Sequence, residues 1–133
     1  MVTGEMAQRI VVVDDDACAR EGLRGLLTAW GYEVETAADG RQALERVAAV
    51  HPVALITDVV MPVMNGLELL GALRDESPGM PVIVLTGHSS LDTLLVAIGQ
   101  GVYAYLPKPV DVPKLRATLA GALEESKWET TTP

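Results

Sequence analysis

Five short runs of apolar residues punctuate the chain, and between them the apolar residues return every third or fourth position. "RIVVV" (9–13) is β-branched, short and continuously apolar, the pattern of a central strand covered on both faces in a parallel sheet. "VALIT" (53–57) and "PVIVL" (81–85) resemble it, "YEVETA" (32–37) is weaker, and "VYAYL" (102–106) makes a fifth. The stretches between have helical spacing: Leu23, Leu26, Leu27 and Trp30; Ala43, Leu44, Val47 and Ala48; Leu67, Leu69, Leu70 and Leu73; Leu91, Leu94, Leu95 and Ile98; Leu115, Leu119 and Leu123. Asp16, Asp39 and Asp111 stand where helix N-caps belong. Gly31 and Gly101 follow helix ends, and Pro113 falls in a first turn that has no use for its missing N–H.

Strand and helix alternate with short connections, which predicts a doubly wound α/β domain: a parallel sheet, right-handed crossovers and helices on both faces. In such a sheet a ligand site lies beyond the carboxyl ends of the strands, where the strand order reverses. Chemistry is therefore to be sought at the strand ends.

Composition narrows the function classes. With 133 residues, 49% of them hydrophobic, the chain can build one core of ordinary size. Its 10 Lys and Arg against 18 Asp and Glu give a net charge of −8, which argues against nucleic-acid binding by this domain alone. Cys18 is the only cysteine, so neither an internal disulfide nor a thiolate metal cage can form. The polar start "MVTGEMAQR" and the lack of any long apolar run lead to the expectation of a cytoplasmic protein without membrane contact. The expected layout is an arm at 1–8, a domain at 9–126, and from 127 a polar tail or the start of a linker.

The strand ends carry the polar residues. The first ends in "DDD" (14–16), the third in Asp58, the fourth in "TGH" (86–88) and the fifth in "LPKPV" (106–110), where Lys108 lies between prolines. Carboxylates gathered at one rim repel one another: two unit charges about 4 Å apart cost about 4 kcal/mol at an effective dielectric of about 20. A lysine ammonium supplies one balancing charge, and a hard divalent cation with oxygen ligands, Mg²⁺ by preference, supplies the rest. Carboxylates, a hydroxyl, a lysine and Mg²⁺ together suit phosphoryl transfer, with one carboxylate as the nucleophile.

These motifs resemble the receiver domain of two-component response regulators. The acidic pair after the first strand, the D-x-x-M-P-x-x-x-G of "DVVMPVMNG" (58–66), the Thr-Gly after the fourth strand and the Lys-Pro after the fifth arrive in that family's order over 9–126. The resemblance implies a flavodoxin-like (βα)5 domain with a five-stranded parallel sheet in order 2-1-3-4-5. It implies that Asp58 accepts a phosphoryl group from the phosphohistidine of a sensor histidine kinase or phosphotransfer protein. Asp14 and Asp15 match the acidic pair that holds Mg²⁺, with Asp15 and Asp58 as direct ligands, Asp14 acting through water and Val60 lending a backbone carbonyl. Lys108 matches the lysine that pairs with phosphoryl oxygens, Thr86 the switching hydroxyl, Gly87 the small residue whose N–H reaches an oxygen, and Tyr105 the aromatic that moves with the threonine. The family also implies a cis Lys108-Pro109 bond, and a switched surface of fourth helix, fifth strand and fifth helix within 90–126 that could serve a homodimer or an output domain. Activity beyond self-phosphorylation and self-dephosphorylation is not expected.

Other assignments are structural. Asp16 reads as a solvated helix cap, Met61-Pro62 as fixing a turn, and Asn65-Gly66 as letting the chain reverse sharply into the next helix. His51 and His88 read as loop residues and Cys18 as a small filler. An alternative is a haloacid-dehalogenase-like phosphohydrolase, which shares the aspartyl nucleophile and Mg²⁺ and whose D-x-D is contained in 14–16. That family needs a further acidic motif after its lysine, and none follows Lys108 at a strand end.

Overall fold

The computed structural model describes residues 8–61, 63–87 and 90–131. Pro62, His88, most of the expected N-terminal arm and the last two residues lie outside them. The order is β1 (Arg9–Val13), α1 (Ala17–Ala29), β2 (Glu33–Ala37), α2 (Gly40–Val50), β3 (Ala54–Thr57), α3 (Gly66–Glu76), β4 (Val82–Thr86), α4 (Leu91–Gly99), β5 (Ala104–Pro107) and α5 (Val112–Thr131). The strands form one sheet in order β2-β1-β3-β4-β5, every pairing parallel. The order reverses at β1, whose two sheet neighbours are β2 and β3.

The uninterrupted apolar strands follow from having two faces to fill. Successive side chains point to opposite faces, so Val11, Val13, Leu55 and Val84 pack with Ala43, Val47, Leu69, Leu70, Leu73 and Ala97 beneath α2, α3 and α4. Ile10, Val12, Ile56, Ile83 and Leu85 pack with Leu23, Leu27, Leu115 and Leu119 beneath α1 and α5. Arg116 of α5 also lies 5.3 Å from the Trp30 ring, joining the two helices on that face. The weaker periodicity of β2 reflects its edge position, where its side chains alternate between exposed and half-buried until Ala37.

The expected caps form. The side chains of Asp16, Asp39 and Asp111 accept from the amides of Cys18, Gln42 and Lys114, and Gly31 and Gly101 take left-handed backbone angles, φ 99° and 81°. Three readings change. Asn65 is not a turn residue but the N-cap of α3, in a reciprocal capping box with Glu68. Gly66 is required by close approach, because a Cβ there would lie 2.2 Å from the Asp58 carbonyl oxygen. The left-handed residue of this loop is Val63, φ 69°. Finally, α5 continues to Thr131, past the expected start of a tail at 127. Among the described residues no helix is long and apolar enough to cross a membrane.

Gly66→Ala should lower stability by about 1–3 kcal/mol, because the intruding methyl meets backbone that cannot swing aside. Gly22, in α1, has nothing within 4 Å of where its Cβ would be. Gly22→Ala should therefore raise stability by roughly 0.5–1 kcal/mol through helix propensity. Urea unfolding of the two variants checks both; a loss at Gly22 matching that at Gly66 would refute this account of the glycines.

Candidate functional site

The pairing of β1 with β3 sets Val13 beside Thr57, so the residues that follow, Asp14 and Asp58, emerge together at the reversal point. The amide of Asp14 donates to the Ala37 carbonyl at 3.1 Å and that of Asp58 to the Val13 carbonyl at 3.1 Å, extending the ladder by one residue at each strand. Both residues are buried, with relative exposures of 2% for Asp14 and 7% for Asp58. Lys108 reaches them from the loop after β5. Its Nζ donates to Asp14 Oδ2 at 2.8 Å and to Asp58 Oδ2 at 2.9 Å. Its own amide donates to the Thr86 carbonyl at 2.9 Å, fixing the loop to the end of β4, and the Lys108-Pro109 bond is cis as expected.

The remaining oxygens are also held. Asp14 Oδ1 accepts from the Asp16 amide at 2.9 Å, and Asp58 Oδ1 from the Val59 amide at 2.6 Å. Burial by itself would raise the Asp58 pKa. The Lys108 ammonium, the Thr86 hydroxyl and the Val59 amide outweigh it and hold the carboxyl below its usual range. Burial would likewise lower Lys108, but hydrogen bonds and charge from Asp14 and Asp58 leave it raised. Asp58 and Lys108 are thus both kept ionised.

The structure unites Asp14, Asp58, Lys108 and Thr86, which is fully buried at the end of β4. Gly87 lies close by, since a Cβ there would sit 3.8 Å from Lys108 Cβ. Asp15 is exposed beside them. Val60 is exposed at the rim, and the Tyr105 hydroxyl lies 2.8 Å from Thr93 Oγ1 at the start of α4. Among the described residues no three carboxylate, imidazole or thiol side chains converge as a preformed metal cage. The donor chemistry nevertheless suits a hard cation: the ligands on offer are oxygens, and the single lysine balances only one of the carboxylates of Asp14, Asp15 and Asp58.

Two neighbours have no counterpart in the sequence reading. Arg20 Nη1 donates to the Asp14 carbonyl at 2.8 Å. Thr93 serves both the α4 capping box and Tyr105. No spacing signal separates Arg20 from Arg24 on the same helix, or Thr93 from any helix-start threonine.

The fold has known counterparts. The family model of the response regulator receiver domain matches residues 10–120. Response regulator MprA of Mycobacterium ulcerans (strain Agy99) is 42% identical over 124 residues, which are 93% of this chain and 53% of that protein. The chain spans about half the length of the curated relatives it matches. A response regulator receiver domain protein (CheY-like) from Methanospirillum hungatei JF-1 superposes with a TM-score of 0.89 at 32% identity, over 92% of this chain and 98% of that one. The chemotaxis protein CheY4 of Vibrio cholerae does so with a TM-score of 0.82 at 35% identity, over 87% and 98%. Sequence and fold thus lead to the same place, and the chain belongs to the response regulator receiver domain family of two-component systems.

Proposed function

We propose that Asp58 is the phosphoacceptor of this receiver, taking a phosphoryl group from the phosphohistidine of a sensor histidine kinase or phosphotransfer protein. The observation that carries the reading is the Lys108 ammonium bonded at once to Asp58 and Asp14. It marks Asp58 as an ionised carboxylate with a cation poised where phosphoryl oxygens would arrive. In the transfer an Asp58 oxygen forms the new P–O bond as the P–N bond to the donor imidazole breaks, and the electron pair returns to that ring. Lys108 then exchanges its bond to Asp58 for the phosphoryl oxygens while keeping Asp14. Receivers generally bind Mg²⁺ in their acidic pocket. Here Asp14, Asp15, Asp58 and the Val60 carbonyl would hold it, and when bound it neutralises charge on the phosphoryl oxygens.

The product is read through Thr86, whose hydroxyl already lies beside Asp58, and through the Gly87 N–H. Tyr105 links the site to α4, and α4, β5 and α5, within 90–126, form the surface that responds. A homodimer, an output domain or another protein would read it. This is a cytoplasmic switch occupying 9–126, its chemistry limited to gaining and losing its own phosphoryl group. Val60 has no polar atom to orient a water toward the acyl phosphate, and its side chain stands 52% exposed at the rim. The phosphoryl group should accordingly persist.

Incubation with acetyl phosphate and Mg²⁺ should add a single phosphoryl group by mass spectrometry, abolished in Asp58→Asn; addition elsewhere would refute the assignment. Val60→Asn should shorten the lifetime of the phosphorylated form several-fold, and equal decay rates would sink the shielding idea. Because the Asp58 pKa is lowered in the fold, its pairing stabilises the protein above the ordinary carboxylate pKa and is lost as pH falls through the folded value. Lys108→Ala should raise that pKa, so a ¹³C NMR titration of the Asp58 carboxyl should move to higher pH, while an unmoved curve would show that lysine does not set it.

A further inference from the structure

Arg20 lies early in α1, and its guanidinium turns back six residues to the Asp14 carbonyl at 2.8 Å. That bond completes Asp14. Its amide is taken by Ala37, Oδ1 by the Asp16 amide and Oδ2 by Lys108, so each of its polar atoms has a partner. The choice of acceptor is informative. An arginine beside a run of acidic residues ordinarily forks onto a carboxylate, as Arg24 does with Glu21 at 2.8 Å. Among the described residues Arg20 makes no such ion pair. It is half-buried, and by bonding the backbone carbonyl it leaves the Asp14 carboxylate to the Asp16 amide and Lys108 and takes neither Asp15 nor Asp16, both of them exposed.

We propose that Arg20 is a positioning residue of the acidic site: by bonding a backbone carbonyl rather than a carboxylate, it fixes the β1–α1 turn in the shape that presents acidic oxygens to Mg²⁺. The proposal rests on the metal reading above. It makes a prediction whose sign separates position from charge. If Arg20 acted only as a nearby cation, removing it would tighten Mg²⁺ binding, because like charges repel. If it holds the turn, removing it weakens binding.

The test is an Mg²⁺ titration of the whole unphosphorylated chain, followed by NMR through the backbone amides of Asp15, Asp16 and Val59, for the wild type, Arg20→Met and Arg20→Lys. Methionine keeps the length without a donor; lysine keeps the charge but loses the planar fork. Arg20→Met should bind Mg²⁺ roughly tenfold more weakly, the lower end of the losses seen when a residue that orients metal ligands is removed, and Arg20→Lys should fall between. Should the methionine variant fail to fold, lysine decides: weaker binding than wild type supports the proposal, and equal binding overturns it. Unchanged or tighter binding by a folded Arg20→Met overturns it as well, with the metal reading intact. A wild type that shows no Mg²⁺-dependent shifts overturns both.

Discussion

One ammonium shared by two buried carboxylates is the interaction on which the site depends. Asp14 and Asp58 come from neighbouring parallel strands, and the register that pairs Val13 with Thr57 leaves them side by side. Each would be costly to bury alone, and without a cation their repulsion would force a proton onto one of them. Lys108 removes that pressure, and Asp58 stays an unprotonated carboxylate although it is nearly covered. The arrangement is also competitive. Any group that brings its own anionic oxygens to Asp58 contests the lysine, so the resting pair both preserves the carboxylate and supplies the contact a phosphoryl group would take over.

The loop after β3 is shaped by contacts that tolerate little change. Gly66 lies against the Asp58 carbonyl, and Gly40 at the start of α2 lies so close to Met64 that a Cβ would fall 2.8 Å from its Cγ. These contacts anchor the ends of the segment from Asp58 to Gly66. Between them Val63 adopts a left-handed backbone with its side chain 73% exposed, a conformation that a branched residue takes only at a cost.

The α4 side of the molecule has the opposite character. Leu91, Leu95, Val96 and Ile98 are exposed, and Ala97 is the one α4 residue in the core, so little apolar burial holds this helix down. Its first turn is instead secured by polar bonds in which Ser90 caps the helix in a reciprocal box with Thr93, and Thr93 also meets Tyr105. A helix held by a few exchangeable hydrogen bonds, next to strands held by packed cores, is suited to report a change at the site.

Much of this was legible in the sequence. Continuous β-branched runs separated by helical periodicity dictate a parallel sheet covered on both faces, since only that environment accepts strands apolar on both sides. Aspartates at helix starts and glycines after helix ends set the borders, because their caps are local. The acidic residues, the threonine and the lysine were readable as strand-end chemistry for the same reason. What needed the tertiary structure was everything that depends on distance across the fold. Local spacing made Gly66 a turn glycine, whereas the nearby Asp58 backbone made it indispensable. Asp14 and Asp15 are adjacent and chemically alike in the sequence, and only the sheet separates them, burying Asp14 against Lys108 and leaving Asp15 exposed. Arg20 carried no sequence signal at all, because its partner is chosen by the phase at which α1 leaves β1, and that phase is fixed by packing of Leu23 and Leu27 against the sheet.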